Sequence, residues 1–474
     1  MKNFLYLIFF ICSAFPLSAQ EQIFESTILE EEGLLASKFL ELEDNKFFLL
    51  AKWGEFGGFY KSRFFIIDGE DGNILQDKTH ISTMSVRPEF IEKYNNEYLV
   101  LGRAEDDIYN SFLYYGRFNL DFEVIEEVYH PLEIEVFIKL QVKFVNNQFI
   151  FIGAGSYPPF LNSFGGIMSW DGELILLNED IGPVGYLGDF LIRKDSVGYI
   201  GFGGGRLSIM DESFNQLYVY QLENHVTQDG SLSYFEDSTI LFVGKYWHFP
   251  DSVNLSRDIG VGILDNFEIT HFDHFATVNT DTTDYPAVLK AMDFVDENNI
   301  YVGGTTNFTA PIYFFPPPSQ YIVANYDREL NKRWERRYGD TTRNHLMSNV
   351  FATTDGGALL FGYSFDNNTD LRTDLYIVKI AGDGTVDSET IIPLSERIKV
   401  FPNPATDKIN VELPENMGND LSLKIYSITG QILLEVNDYS GEGIDIRFLP
   451  SGNYVLEITD VTNRKKWVEK IVKQ

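Results

Sequence analysis

The chain has 474 residues, among them 40 Phe, 26 Tyr and 38 Gly, and a formal net charge of −33. That acidity excludes binding along a nucleic-acid phosphate backbone, which needs a basic surface; its plain consequence is solubility. Aromatic residues punctuated by glycine, with no long Ala, Leu, Glu and Lys stretch at helical period, predict an all-β class, with one large and one small domain each burying its own core.

The elements begin with an export signal. Lys2 precedes an apolar run from Phe4 to Phe15, and Leu17-Ser18-Ala19-Gln20 offers small residues for cleavage, so residues 1–19 read as a secretory signal peptide. The run is shorter than the roughly 20 apolar residues of a spanning helix and no later segment qualifies, so no transmembrane segment is expected. Cys12, the only cysteine, follows Phe9-Phe10-Ile11 rather than the small residue that precedes a lipid-modified cysteine. A mature chain without cysteine excludes disulfides, thiolate metal sites and cysteine catalysis.

From residue 20 to 394 the chain repeats. Seven hydrophobic strands each end at a small residue, at Ala51, Gly102, Gly153, Gly203, Gly244, Gly303 and Gly362, spaced 51, 51, 50, 41, 59 and 59 residues apart. An alternating strand such as Phe39-Leu40-Glu41-Leu42 or Val142-Lys143-Phe144-Val145 precedes each, joined to it by a tight turn rich in Asp and Asn, as at Asp44-Asn45, Asn95-Asn96 and Asn146-Asn147. A third strand running into an acidic turn, as at Ile66-Ile67-Asp68 and Asn325-Tyr326-Asp327, and a short fourth strand complete the unit. Four antiparallel strands repeated seven times predict a seven-bladed β-propeller, whose radial closure protects sheet edges; a pair of β-sandwiches is the alternative. Either Ile23 to Leu29 or Thr385 to Ile392 supplies the outer strand of the last blade.

The repeats resemble known propeller families only in part. Gly203-Gly204 and Gly303-Gly304 match the kelch double glycine, and Trp170-Asp171 matches the WD dipeptide once in seven copies. By pattern rather than by motif, the unit is similar to divergent propellers of secreted Bacteroidetes proteins. In a propeller the loops between second and third strands share one face, and here they are aromatic. Trp53 and Tyr60, Tyr157, Trp247 with His248, and Phe315 before three prolines are the candidate ligand-binding residues, because rings bracketed by proline grip sugars or extended peptides with little entropy loss. The alternative use of the same rings is to pack against one another and hold long loops in place.

No catalytic constellation stands out, and no cofactor is predicted. The seven histidines map to that face or to the connections between blades without ligand spacing. Asp366-Asn367-Asn368-Thr369-Asp370 leaves calcium open but lacks the spacing of a calcium loop. Carboxylate pairs at the channel mouth would instead mark a glycan-active hydrolase or lyase.

After a linker at 395–399, residues 400–474 alternate as short strands at the spacing of an immunoglobulin-like β-sandwich. Phe401-Pro402-Asn403-Pro404-Ala405, Ile425 to Gln431 with Gly430, and Leu449-Pro450-Ser451-Gly452-Asn453-Tyr454 resemble the type A C-terminal sorting domain of type IX secretion. That resemblance implies Pro402, Asn403, Pro404, Gly430, Leu449, Gly452 and Tyr454 as sorting-motif residues and the secretion machinery as partner. It also implies export across the outer membrane to the cell surface or beyond. The propeller is then expected to be a binding module for a glycan, peptide or protein, with no nucleic-acid partner.

Overall fold

Paired Asp and Asn residues at the ends of alternating strands tolerate the left-handed backbone that a two-residue hairpin requires. That conformation is adopted at Asp44 and Asn45 (φ 60° and 53°), Asn95 and Asn96 (50° and 61°) and Asn146 and Asn147 (52° and 63°). The computed structural model describes residues 24–28, 34–53, 60–69, 72–107, 109–134, 136–157, 160–181, 187–194, 198–222, 226–248, 256–276, 283–307, 318–366, 373–386, 399–412, 421–427, 432–436, 439, 443–460 and 465–473. The expected signal peptide, most of the linker, Asn367 to Asp370, Phe315 and Gly430 lie outside these residues. Every regular element among the described residues is a strand, and none is a helix long and apolar enough to cross a membrane.

The seven aligned runs are second strands of seven antiparallel sheets. In chain order these are Leu34–Leu42, Lys46–Trp53, Lys61–Asp68 and Ile74–His80; Ser85–Tyr94, Glu97–Glu105, Ser111–Phe118 and Val124–Pro131; Val136–Val145, Gln148–Tyr157, Phe160–Ser169 and Leu174–Asn178; and Leu187–Ile192, Tyr199–Gly203, Arg206–Met210 and Gln216–Gln221. The fifth holds Val226–Tyr234, Ile240–His248, Ser256–Asp265 and Glu268–Phe275. In the sixth, Tyr285–Pro286 and Met292–Phe294 share one edge of Ile300–Thr305, followed by Tyr321–Tyr326 and Lys332–Tyr338. The seventh comprises Asn344–Ala352, Ala358–Phe365, Thr373–Ile380 and, from the far end of the chain, Phe24–Ile28.

Second and third strands are buried on both faces because each sheet stacks between two others. Every residue of Ile300–Thr305 is buried, whereas every residue of the outermost Gln216–Gln221 is exposed. Apolar clusters join the first sheet to the second around Phe48, Phe64 and Tyr98, and the second to the third around Leu101 and Phe149. They continue through Ile152 and Phe190, then Phe202 and Phe242, then Val243, Tyr301 and Leu360. Phe39 and Phe361 return the series to the first sheet. The fold is thus all-β and propeller-like. Of the two segments competing for its last edge, Phe24–Ile28 takes it; Tyr376 donates its hydroxyl to Glu25 Oε1 (2.6 Å) across the closure.

Most second strands run on past the small residue instead of ending at it, and in four sheets that residue has a steric cause. Opposite Ala51, Gly102, Gly203 and Gly362 the first strand carries a β-bulge, at Ser37, Glu89, Gly188 and Ser348. Two residues then oppose one and the first strand is pushed against its neighbour. A Cβ at Gly362 would lie 2.0 Å from the Leu346 carbonyl oxygen. In the sixth sheet the interruption widens until the first strand is split between Pro286 and Met292, facing Gly303 and Gly304.

Residues 399–473 form a separate core between two sheets. Lys399–Phe401, Lys408–Glu412 and Ile444–Asp445 make one; Ile432–Val436, Leu421–Ser427, Gly452–Asp460 and Lys465–Lys473 make the other. Ile409, Leu423, Ile425, Leu456 and Ile458 are fully buried between them.

His345 lies in the seventh sheet, 2% exposed, with its ring 4.5 Å from that of Tyr376 and its Nδ1 without a partner among the described residues. Burial lowers its pKa from 6.5 to about 4, more than Asp340, 3.7 Å from Nε2, restores. The unfolded chain takes up a proton near pH 6.5 while the native chain does not until about pH 4, so stability falls as pH drops through that window. Urea unfolding should record a loss of about 3 kcal/mol between those limits, absent in His345→Phe. Gly362→Ala, which forces a Cβ onto backbone, is expected to cost about 1–3 kcal/mol by the same measurement.

Candidate functional site

In the fifth sheet the second and third strands stay paired to the end, with Tyr246 opposite Asp258, Trp247 opposite Arg257 and His248 opposite Ser256. Alternation therefore gathers indole and cations at one place. The Trp247 ring lies 5.2 Å from the Arg257 guanidinium and 5.6 Å from Lys245 Nζ, which is also 4.7 Å from the Tyr285 ring. The indole N–H is buried and has no acceptor among the described residues. On the opposite face of that sheet, by the same alternation, the nearly buried Asp258 carboxylate meets His274 Nδ1 at 2.9 Å, leaving an imidazole side chain 41% exposed, its ring 4.8 Å from that of Tyr246 and tilted by 36°. A carboxylate behind an exposed imidazole fixes its orientation and favours a proton acceptor outward.

Tyr60, at the corresponding end of the first sheet, is buried with the Arg87 guanidinium 4.6 Å over its ring. It is a stacking partner within the protein rather than a bare platform. Arg87 in turn pairs with Glu105 at 3.4 Å. Burial pushes the neighbouring Glu89 carboxyl up, but Arg103 and Lys52 outweigh it and hold the group below the usual range. Trp53, Tyr157 and His248 sit at the ends of second strands, with side chains outside the described residues. Among the six predicted ligand residues, Trp247 and His248 share one strand end, and Tyr60 belongs to another sheet.

A second polar site lies where the first strands converge. Lys38 of the first sheet is flanked by the rings of Phe90 and Phe351, each 5.6 Å from Nζ. Burial, then the charges of Lys290 and Lys143, lower its pKa to about 8 against the pull of Asp189 and Asp293. Lys143 meets Asp189 at 3.7 Å, and Lys290 meets Asp293 at 2.8 Å. Lys139 Nζ donates to the Val288 carbonyl (3.2 Å), from the third sheet to the sixth. Sequence reading missed these lysines because an alternating strand with polar residues on one face reads as ordinary half-exposed β-structure. The signal was positional: Lys38, Lys139 and Asp189 each directly follow a bulge in a first strand.

The histidines do not converge. His80 Nε2 and the Tyr114 hydroxyl meet Glu127 Oε1 at 2.9 and 2.8 Å, while Ser82 Oγ approaches the same His80 nitrogen at 3.0 Å. Serine and carboxylate share one nitrogen, so this is no nucleophile relay, in which the two imidazole nitrogens serve different partners. His130 Nε2 meets the Gly172 carbonyl of the next sheet. Among the described residues no three His, Cys, Asp or Glu side chains gather as metal ligands.

The motif opening the terminal domain docks the last strand. Asn403 Oδ1 accepts the Val472 N–H and the Ala405 N–H donates to the Val472 carbonyl, both at 2.8 Å, with Pro402 and Pro404 on either side of Asn403. Leu449 is buried, and Tyr454 donates its hydroxyl to the Pro450 carbonyl (2.7 Å), closing the turn before the Gly452 strand. Gly452 itself is not required by sterics: a Cβ there would be 3.8 Å from Tyr454, ordinary contact.

Over 172 residues, 33% of this chain, it is 32% identical to an endo-acting ulvan lyase of Formosa agariphila, and that match spans 31% of the lyase's length. Similar solved structures include the WD40 domain of Neurospora crassa Pan2 (12% identity, TM-score 0.41, 75% of this chain and 91% of that one). They also include an α-L-arabinanase of Penicillium chrysogenum complexed with arabinobiose (8%, 0.39, 76% and 98%). A third is PorZ, a surface component of the type IX secretion system of Porphyromonas gingivalis (8%, 0.23, 93% and 81%). Residues 399–474 match the family model of the secretion system C-terminal sorting domain. The chain therefore carries a type IX sorting domain, which engages that machinery and directs the protein to the cell surface or the extracellular space.

Proposed function

We propose that residues 20–394 are a seven-bladed β-propeller and residues 400–474 an immunoglobulin-like sandwich, and that the propeller is a non-catalytic binding module for a glycan, peptide or protein. Seven stacked sheets with an N-terminal closing strand support the first part, and two sheets around one core support the second. The observation that carries the binding reading is Trp247, whose buried indole N–H lacks an acceptor among the described residues while Lys245 and Arg257 lie close to its ring. An acidic sugar satisfies all three, stacking on the ring, accepting the N–H and pairing with the cations. Trp53, Tyr157, His248 and Phe315 are proposed to extend that surface.

A second reading, an extracellular glycan-active hydrolase or lyase, draws on the His274–Asp258 pair at the same strand end and on the partial likeness to an ulvan lyase. The two are separated by an array of neutral, carboxylated and sulfated glycans run with a product-release assay. A binding module predicts retention of an acidic glycan, at least about tenfold weaker in Trp247→Ala, with no product. Product formed by the wild type and abolished in His274→Ala would establish the enzyme instead, and retention of no glycan would remove the sugar reading.

A further inference from the structure

We propose that the axial channel is an oxyanion-binding site, in which Lys38, Lys139, Lys143 and Lys290 hold a sulfate or phosphate group, free or as an ester on a larger ligand. These lysines come from the first, third and sixth sheets, which meet only where first strands surround the axis. The bond from Lys139 to the Val288 carbonyl crosses between sheets that are not neighbours. Lys143 and Lys290 have side chains 31% exposed, so small ions reach the site from solvent.

The carboxylates nearby are already committed. Asp189 accepts the N–H groups of Phe190 (2.7 Å) and Leu232 (2.9 Å), and Asp293 accepts that of Ala352 (3.0 Å). Glu89 answers Arg103 and Lys52, and burial pushes the Glu92 carboxyl up, which weakens its compensation. Lys38, Lys52, Arg103, Lys139, Lys143 and Lys290 thus face Asp189, Asp293, Glu89 and Glu92, an excess of two positive charges at the centre of a chain whose net charge is −33. Like charges gathered in a partly dehydrated space repel strongly, and a doubly charged oxyanion removes that repulsion. Lys38 makes no ion pair among the described residues and rests on two aromatic faces, so its ammonium has donors to give. The same repulsion contributes to its lowered pKa, which leaves it reactive toward acylating reagents in mild alkali.

Acetic anhydride labelling of the full chain, mapped lysine by lysine, tests the site on the unmodified protein. Millimolar inorganic sulfate should slow acetylation of Lys38 by about tenfold relative to sodium chloride of equal ionic strength, with lysines outside the channel unchanged. A sulfated monosaccharide is run in parallel: protection by the inorganic ion alone assigns a free-ion site, and protection by both assigns one that admits esters. Protection by neither, or equal slowing of all lysines, overturns the proposal. The part of the Tm rise that millimolar sulfate gives beyond its general salting-out stabilisation should also vanish in Lys38→Met/Lys143→Met, whereas the general part is kept by the variant.

Discussion

A bulge or a wider interruption in each first strand is the constraint on which the large domain depends. It sets two residues against one, so the second strand needs glycine or alanine at that level, and it leaves a backbone carbonyl outside its own ladder. Those carbonyls are taken by the neighbouring sheet. Asn349 Nδ2 donates to Ser37, Gln141 Nε2 to Gly188, and the backbone of Leu289 and Lys290 to Ser348. The interruption that looks like a defect within one sheet therefore supplies hydrogen bonds between sheets. It also turns the following residue, Lys38, Lys139 or Asp189, into the polar company around the axis, which links the packing rule to the candidate anion site.

Most of this architecture is legible in the residues. The four-strand unit, the register of small residues and the Asx turns follow from period-2 alternation and left-handed backbone, although most second strands run past the small residue instead of ending at it. Legibility fails where chain distance stops informing. Neither Phe24 to Ile28 nor the competing Thr385 to Ile392 alternates cleanly, so the residues do not choose between them; the pairing with Thr373–Ile380 selects the strand that enters from the opposite end. The aromatic loops were legible as composition but not as arrangement. Tyr60 turns inward beneath Arg87, while Trp247 keeps an N–H without an acceptor among the described residues, and both start from the same pattern of rings near a strand end.

The terminal domain shows why its motif is short and specific. Asn403 and Ala405 together satisfy both backbone groups of Val472, so the first residues of the domain are bonded to its last strand. A signal read as a folded surface gains from having its two ends tied together, since neither can fray alone. The same economy appears in the large domain, where the N-terminal strand covers an otherwise open, fully apolar edge at Leu375 to Val378. Outside the cell, where the sorting domain sends the chain, a closed ring without disulfides relies on that strand to hold its circumference.

Closure can be measured directly because the chain has no cysteine after Cys12. Ser26 and Ile377 are register partners across the closing pair. In Ser26→Cys/Ile377→Cys, begun at Gln20 and oxidised at low concentration, the account predicts an intramolecular disulfide, seen by mass spectrometry, in a monomer with a Tm no lower than the reduced form. Two free thiols, or disulfides only between molecules, would contradict it.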